Sequence, residues 1–235
     1  HLDYLASRDG ASNADKAKLF SLASHSKELF EIVKRICTKD LKCGVGVSLV
    51  NTVVADTVFE IPYCRCSTDK KIGNIRYPAF VQEKADGLFC NCIISEMGEI
   101  TFLTRDGKEL LQLDNLRNAI YNFLPSKYYG NVLQGELRIR HDGKLLSRQE
   151  GNGIFTSCQF GTADQAMADK AVLCLWNIVN INDFWVYQET SVPYVEAFKK
   201  IGEIAAILGP AHCVELVKTK VVYTYEEAWE FYLMI

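Results

Sequence analysis

Lys84 stands in the run Tyr77-Pro78-Ala79-Phe80-Val81-Gln82-Glu83-Lys84-Ala85-Asp86-Gly87, a short apolar stretch that ends in an amine followed by Ala-Asp-Gly. An amine held at a strand end suits nucleophilic attack. A lysine attacks phosphorus as the neutral amine, so such a site must withhold a proton that the free side chain keeps at pH 7, through desolvation or nearby cations. Asp86 can orient a partner, and Gly87 lets the backbone turn close to a ligand. Four characters with one wildcard also describe a surface lysine before an Asp-Gly turn, so the rest of the chain must decide.

Three further groups of residues follow in order. Leu103-Thr104-Arg105-Asp106-Gly107 runs a strand end into a turn and presents an arginine, the natural bidentate phosphate ligand. Val132-Leu133-Gln134-Gly135-Glu136-Leu137 puts a carboxylate inside an apolar strand, which costs several kcal/mol of desolvation unless a cation, a metal or hydroxyls meet it. Leu173-Cys174-Leu175-Trp176-Asn177-Ile178-Val179 carries a tryptophan that could cover the face of a base or simply pack in the core. Upstream, Lys39 and Lys42 flank a turn with Gly44 and Gly46 that could hold a phosphate or merely stop a helix.

The elements that must carry these groups are legible in outline. Apolar positions at helical spacing, among them Leu19, Phe20, Leu29, Ile32 and Val33, predict two or three amphipathic helices between Leu2 and Lys42, with Ser24-His25-Ser26 as a cap. After about Ser67 the texture becomes β-rich: strands are expected at 79–84, 88–95, 99–104, 132–140 and 171–179, separated by turns such as Met97-Gly98 and His141-Asp142-Gly143. Helices are expected at 113–124 and 193–208. The fold class is therefore α+β, a helical piece followed by a domain dominated by antiparallel strands.

Composition sets outer bounds. A chain of 235 residues, 49% hydrophobic and 23% charged, can bury a real core. No run approaches the roughly 18–20 apolar residues of a bilayer span, so no membrane partner is expected. Nine cysteines scattered through apolar segments fit reduced thiols in the cytoplasm better than a disulfide framework. Cys64-x-Cys66 and Cys90-x-Cys92 supply enough thiolates for zinc, but a spacing of one matches strand alternation rather than a zinc knuckle. Net charge is −3, yet residues 1–76 hold twelve Lys/Arg against nine Asp/Glu and the remainder fourteen against twenty, so the basic share lies where a phosphate backbone could be met.

Taken in series, K-A-D-G, T-R-D-G, Q-G-E-L and the L-W-N strand resemble the sequential motifs of the covalent nucleotidyltransferases, and more closely the ATP-dependent DNA ligases of T-even-type bacteriophages. Lys39-Asp40-Leu41-Lys42-Cys43-Gly44 with Asn51 resembles the helix-ending motif of that family's DNA-binding domain. Asn74-Ile75-Arg76-Tyr77-Pro78-Ala79-Phe80 resembles the approach to its lysine, and Asn152-Gly153-Ile154 with Gly161-Thr162 a loop before its tryptophan strand.

The resemblance implies a helical DNA-binding domain over residues 1–66 and a nucleotidyltransferase (adenylation) domain over 67–235, with Lys39, Lys42 and Gly44 on DNA. It implies Lys84 as the residue that takes AMP from ATP, and Glu136 as the holder of a ribose hydroxyl or Mg2+. Arg105 falls on the nick phosphate, Asp86 near the strand bearing the 3′-hydroxyl, and Trp176 near the adenine, whose edge backbone groups around Gln82 and Glu83 would read. A monomer acting on nicked duplex DNA in the cytoplasm of a host cell is the corresponding expectation. The family carries an arginine five residues after its lysine where this chain has Phe89, aspartates where it has Gln134 and Asn177, and an arginine where it has Ala197. The chain is also expected to begin partway into the helical domain and to stop before the later lysine motifs and the C-terminal OB-fold. An RNA ligase or capping-type nucleotidyltransferase shares K-x-D-G, and a non-catalytic nucleic-acid-binding relic would explain the lost charges.

Overall fold

The computed structural model describes residues 12–37, 47–54, 73–187, 190, 192–209 and 213–235. The chain divides into two compact units, His1–Phe59 and Glu60–Ile235. The boundary expected between residues 66 and 67 lies outside the described residues, as do Lys39, Lys42, Gly44, Cys64 and Cys66.

In the first unit, α1 (Asn13–Ala23) starts at Ser12 with a reciprocal capping box: the Ser12 hydroxyl accepts from the Asp15 N–H and the Asp15 carboxylate accepts from the Ser12 N–H. Helix α2 (Lys27–Cys37) is capped by Ser26, whose hydroxyl accepts from the Leu29 N–H at 3.0 Å, so the cap expected at Ser24–Ser26 is Ser26. The Phe20 and Phe30 rings meet at 5.7 Å between the two helices. A short α3 (Val47–Val53) follows.

The second unit is built on two sheets. The larger has strand order β3-β2-β4-β6-β7, with β2 (Leu88–Ile94), β3 (Ile100–Thr104), β4 (Asn131–His141) and β6 (Ala171–Asn180) antiparallel and β7 (Val214–Leu216) parallel to β6; β5 (Lys144–Leu145) hairpins onto β4. The smaller pairs β1 (Ala79–Gln82) with β8 (Thr219–Val222). All five expected strands form within two residues of their expected ends, as do the helices α4 (Asp114–Phe123) and α7 (Tyr194–Leu208). The expected loop at Asn152-Gly153-Ile154 is instead inside a helix, α5 (Arg148–Gln159). Two glycines lower its helix propensity, and the capping box of Ser147 with Glu150, together with burial of Phe155 and Cys158, overrides that cost. Short α6 (Gln165–Ala168) and terminal α8 (Tyr225–Met234) complete the unit.

Alternation along the strands divides the large sheet into two faces. Cys90, Cys92, Ile94, Leu133, Leu137, Ile139, Leu173 and Leu175 point into one core, closed by Leu116 and Ile120 of α4, Phe155 of α5 and Ala197, Ile201, Ile204 and Leu208 of α7. Ala197 is 4% exposed on the buried stripe of α7, which accounts physically for an apolar residue at that position. Cys90 and Cys92 share this face because residues two apart on a strand do; burial pushes both thiols up in pKa, and among the described residues no cluster of three or more His, Cys, Asp or Glu could hold a metal ion. The opposite face of the sheet carries Phe89, Asn91, Gln134, Glu136, Arg138, Cys174, Trp176 and Asn177.

Candidate nucleotidyl-transfer site

Lys84 follows β1 in the link to β2 and is exposed, whereas its neighbours Ala85 and Gly87 are buried. Ala85 packs with Cys174, Val217 and Trp176, which ties the lysine's backbone to β6 and to the segment between β7 and β8. Gly87 is obligatory by geometry. A Cβ there would stand 2.3 Å from the Leu137 carbonyl oxygen and 3.1 Å from Cγ of Glu136.

Glu136 lies opposite Phe89 on β2 and Cys174 on β6. Burial pushes its carboxyl above the usual carboxylate range, against the opposing pull of Lys84, the Gly87 N–H, Arg148 and Arg105. Lys84, Arg105 and Arg148, from three separate segments, thus lie within electrostatic reach of one half-buried carboxylate. Asp86, exposed, carries the second negative charge and lies 3.3 Å from Arg148. Glu136 thus feels the charges of Lys84 and Arg105, and Asp86 is linked to it through Arg148. Arg148, at the start of α5, joins them without a signal of its own; nothing around it in sequence distinguishes it from a solvated first-turn residue.

Trp176 shares this face with Cys174 by alternation, at a β-bulge that also brings Asn177 onto it. Gln134 pairs with Asn177 and the next residue, Gly135, with Leu175, so Trp176 has no partner on β4. Bulging turns Trp176 and Asn177 toward the same side and lays the indole against Phe89 at 5.9 Å between ring centres, with the Arg105 guanidinium 5.9 Å from the Phe89 ring on its own side. Gly135 allows β4 and β6 to approach there, since a Cβ would lie 2.6 Å from the Cys174 carbonyl oxygen.

Gln82 and Glu83 are occupied by the fold. Gln82 Nε2 donates to the Thr219 hydroxyl at 3.2 Å, and the Tyr194 hydroxyl sits 2.9 Å from Gln82 Oε1 and 2.6 Å from the Trp176 carbonyl oxygen. The Glu83 carboxylate pairs with Lys218 at 3.4 Å and with Arg138 at 3.8 Å.

One step along the same face, three amides form a buried ladder. Asn177 Nδ2 donates to Gln134 Oε1 at 3.0 Å and Gln134 Nε2 to Asn91 Oδ1 at 3.1 Å, while Asn91 Nδ2 is buried without a partner. Gln134 accepts from one neighbour and donates to the other, whereas an ionised carboxylate in its place could only accept. Magnesium keeps several waters and binds through one or two carboxylates plus substrate phosphates. Glu136, with Asp86 nearby, is a donor set of that kind.

No family model matches the chain. Across 263 aligned positions it is 25% identical to the DNA ligase of Enterobacteria phage T4, an alignment taking in 97% of this chain and 53% of the relative; the DNA ligase of phage T6 gives the same figures. The chain resembles the T-even phage DNA ligases. It spans about half the length of these relatives. Two solved structures named Pmar-Lig_Pre and Pmar-Lig_PreS3 superpose with TM-scores of 0.62 and 0.55 at 17% identity, each over 86% of this chain and 46% of the other. That likeness establishes the shared α+β architecture. The phage-ligase likeness runs through the helical segment as well as the sheets, as the order of the motifs along the chain implies.

Proposed function

We propose that this protein takes part in ATP-dependent sealing of nicks in duplex DNA, with Lys84 as the residue that becomes adenylylated. The observation that carries the reading is that Lys84, Arg105 and Arg148 lie within electrostatic reach of Glu136, on a sheet face that also carries Trp176, in a chain that resembles phage DNA ligases along nearly its full length.

In the proposed first step the Lys84 Nζ lone pair attacks the α-phosphorus of ATP. A Nζ–P bond forms, the bond from phosphorus to the bridging oxygen of pyrophosphate breaks, and the amine loses a proton to solvent. Arg105 and Arg148 offset charge on the phosphates, and Trp176, half-buried and backed by the buried Phe89, offers an apolar surface to the base or sugar. Phe89 cannot clamp a ribose hydroxyl, and the Glu136 carboxylate is an acceptor for one on this face. Mg2+, held by Glu136 together with phosphate oxygens, would supply neutralisation of the pyrophosphate leaving group. AMP then passes to the 5′-phosphate of a nick, where Arg105 contacts phosphate and Asp86 the strand bearing the 3′-hydroxyl, and that hydroxyl displaces AMP.

Residues 1–66, with Lys39, Lys42 and Gly44, form the duplex-binding part of this reading and residues 67–235 the adenylation part. The reaction is tested with a labelled nicked duplex, ATP and Mg2+: the expected result is a longer, sealed strand and a transient 5′-adenylylated strand. Sealing of nicked RNA in preference to DNA would move the assignment to an RNA ligase. Binding without either product would leave a non-catalytic relic.

A further inference from the structure

The residue before Lys84 is restrained from two elements. The Glu83 N–H donates to the Lys218 carbonyl at 3.0 Å, and its carboxylate faces both the Lys218 ammonium and Nη1 of Arg138. The Lys218 side chain is 71% exposed, and an ion pair on so exposed a partner contributes little. Arg138 is different. Its side chain is 12% exposed, it stands on β4 two residues beyond Glu136 on the same face, and its other terminal nitrogen binds Glu215 of β7, which also takes Arg140 at 2.6 Å. Arrayed this way, the guanidinium lies between a carboxylate that follows the small sheet and a carboxylate within the large one. Burial pushes the Glu215 carboxyl up, yet hydrogen bonds and charge from Arg140 and Arg138 hold it below the usual carboxylate range.

Resting on the lysine-nucleophile reading above, we infer that Arg138 is a positioning residue for Lys84: its guanidinium, hydrogen-bonded to Glu215, ion-pairs with Glu83 at 3.8 Å and so restrains the nucleophile's backbone against the strand that carries Glu136. Lys84 itself is exposed, so its placement depends on what holds residues 83, 85 and 87. Ala85 is held by packing and Gly87 by close approach to Leu137. Glu83 is held by charge. Removing Arg138 leaves Glu83 and Glu215 as two carboxylates without their common cation, and a lysine displaced by about 1 Å loses on the order of a hundredfold in rate.

The test uses the intact protein. Arg138→Gln is expected to slow single-turnover adenylylation at saturating ATP by roughly ten- to a hundredfold while changing ATP affinity less than about twofold, with Arg138→Lys recovering part of the rate because it keeps the charge but not the fork. Glu83→Gln, a near-isosteric change, tests the same contact from the other side, and the double variant should be no slower than Arg138→Gln alone. Amide exchange of the 79–87 segment should accelerate in both single variants with the β4–β6 core unchanged. Unaltered exchange with unaltered rate, or rate reductions that multiply in the double variant, would overturn the inference. If the wild-type protein adenylylates no lysine the functional reading fails, and exchange in the 79–87 segment still decides whether Arg138 positions it.

Discussion

Glu136 shows what a functional residue costs its fold. Its carboxyl is raised by burial, so ionising it is harder in the folded chain than in the unfolded one. A group with a raised folded pKa contributes its full stability below the ordinary carboxylate value and loses it as pH rises through the folded value. Glu136→Gln should therefore raise the melting temperature at pH 7 relative to wild type, and the gain should shrink toward pH 4 as the Glu136 carboxyl takes up its proton. Melting curves across that range check it; equal gains at both pH values would show that ionisation is not the cause. The same change should abolish adenylylation if Glu136 serves nucleotide or metal. At this scale much was legible: Lys84, Arg105, Asp86 and Glu136 could be picked from residue type and context, and the structure gathers them. Arg148 could not be picked, because an arginine at the first turn of a helix looks like ordinary surface, and Glu83 reads as polar lining until Arg138 is seen beside it.

Elements explain residues that a linear reading takes for lost charges. Gln134 and Asn177 look like lost charges in the sequence, yet they are the middle and end of a hydrogen-bonded amide ladder begun by Asn91 on the neighbouring strand. Cross-strand partners are invisible to a linear reading until register is known, and here the register shifts within β6 itself. The bulge that sets Trp176 and Asn177 on the same side has no signal in Leu-Cys-Leu-Trp-Asn-Ile-Val beyond an unusual pair of residues in an apolar run. Strand and helix positions, by contrast, follow from alternation and from spacing, and α5 departs from expectation because its glycines mimic a loop. The ladder makes a definite prediction. Gln134→Asp places a carboxylate at a 2% exposed position and removes the donor to Asn91, so it should destabilise the protein by about 3 kcal/mol at neutral pH and by less at pH 4, where the carboxyl is protonated. Urea midpoints at the two pH values measure this; a midpoint unchanged at pH 7 would show that the ladder accommodates charge.

For the whole molecule, net charge does not single out the helical part: residues 1–66 hold nine Lys/Arg against eight Asp/Glu, so the proposed duplex contacts rest on where particular lysines stand, while cations from separate segments act locally on Glu136. Among the described residues no helix is long and apolar enough to cross a membrane. Lys39 and Lys42 should therefore govern affinity for duplex DNA without governing adenylylation. Changing both to alanine should weaken duplex binding and flatten its dependence on salt by about one unit of log–log slope for each phosphate no longer neutralised. An unchanged slope would remove the helical segment from the proposed interface.

The claim on which the rest depends is that Lys84 is a nucleophile. Intact-mass measurement after incubation with Mg2+ and ATP tests it directly, with GTP and NAD as comparisons. The expected result is a single AMP-sized increment from ATP that maps to the peptide containing Lys84, disappears on mild acid treatment as a phosphoramidate should, and is absent from Lys84→Ala. No increment with any of the three nucleotides, or one that persists in Lys84→Ala, would contradict the assignment.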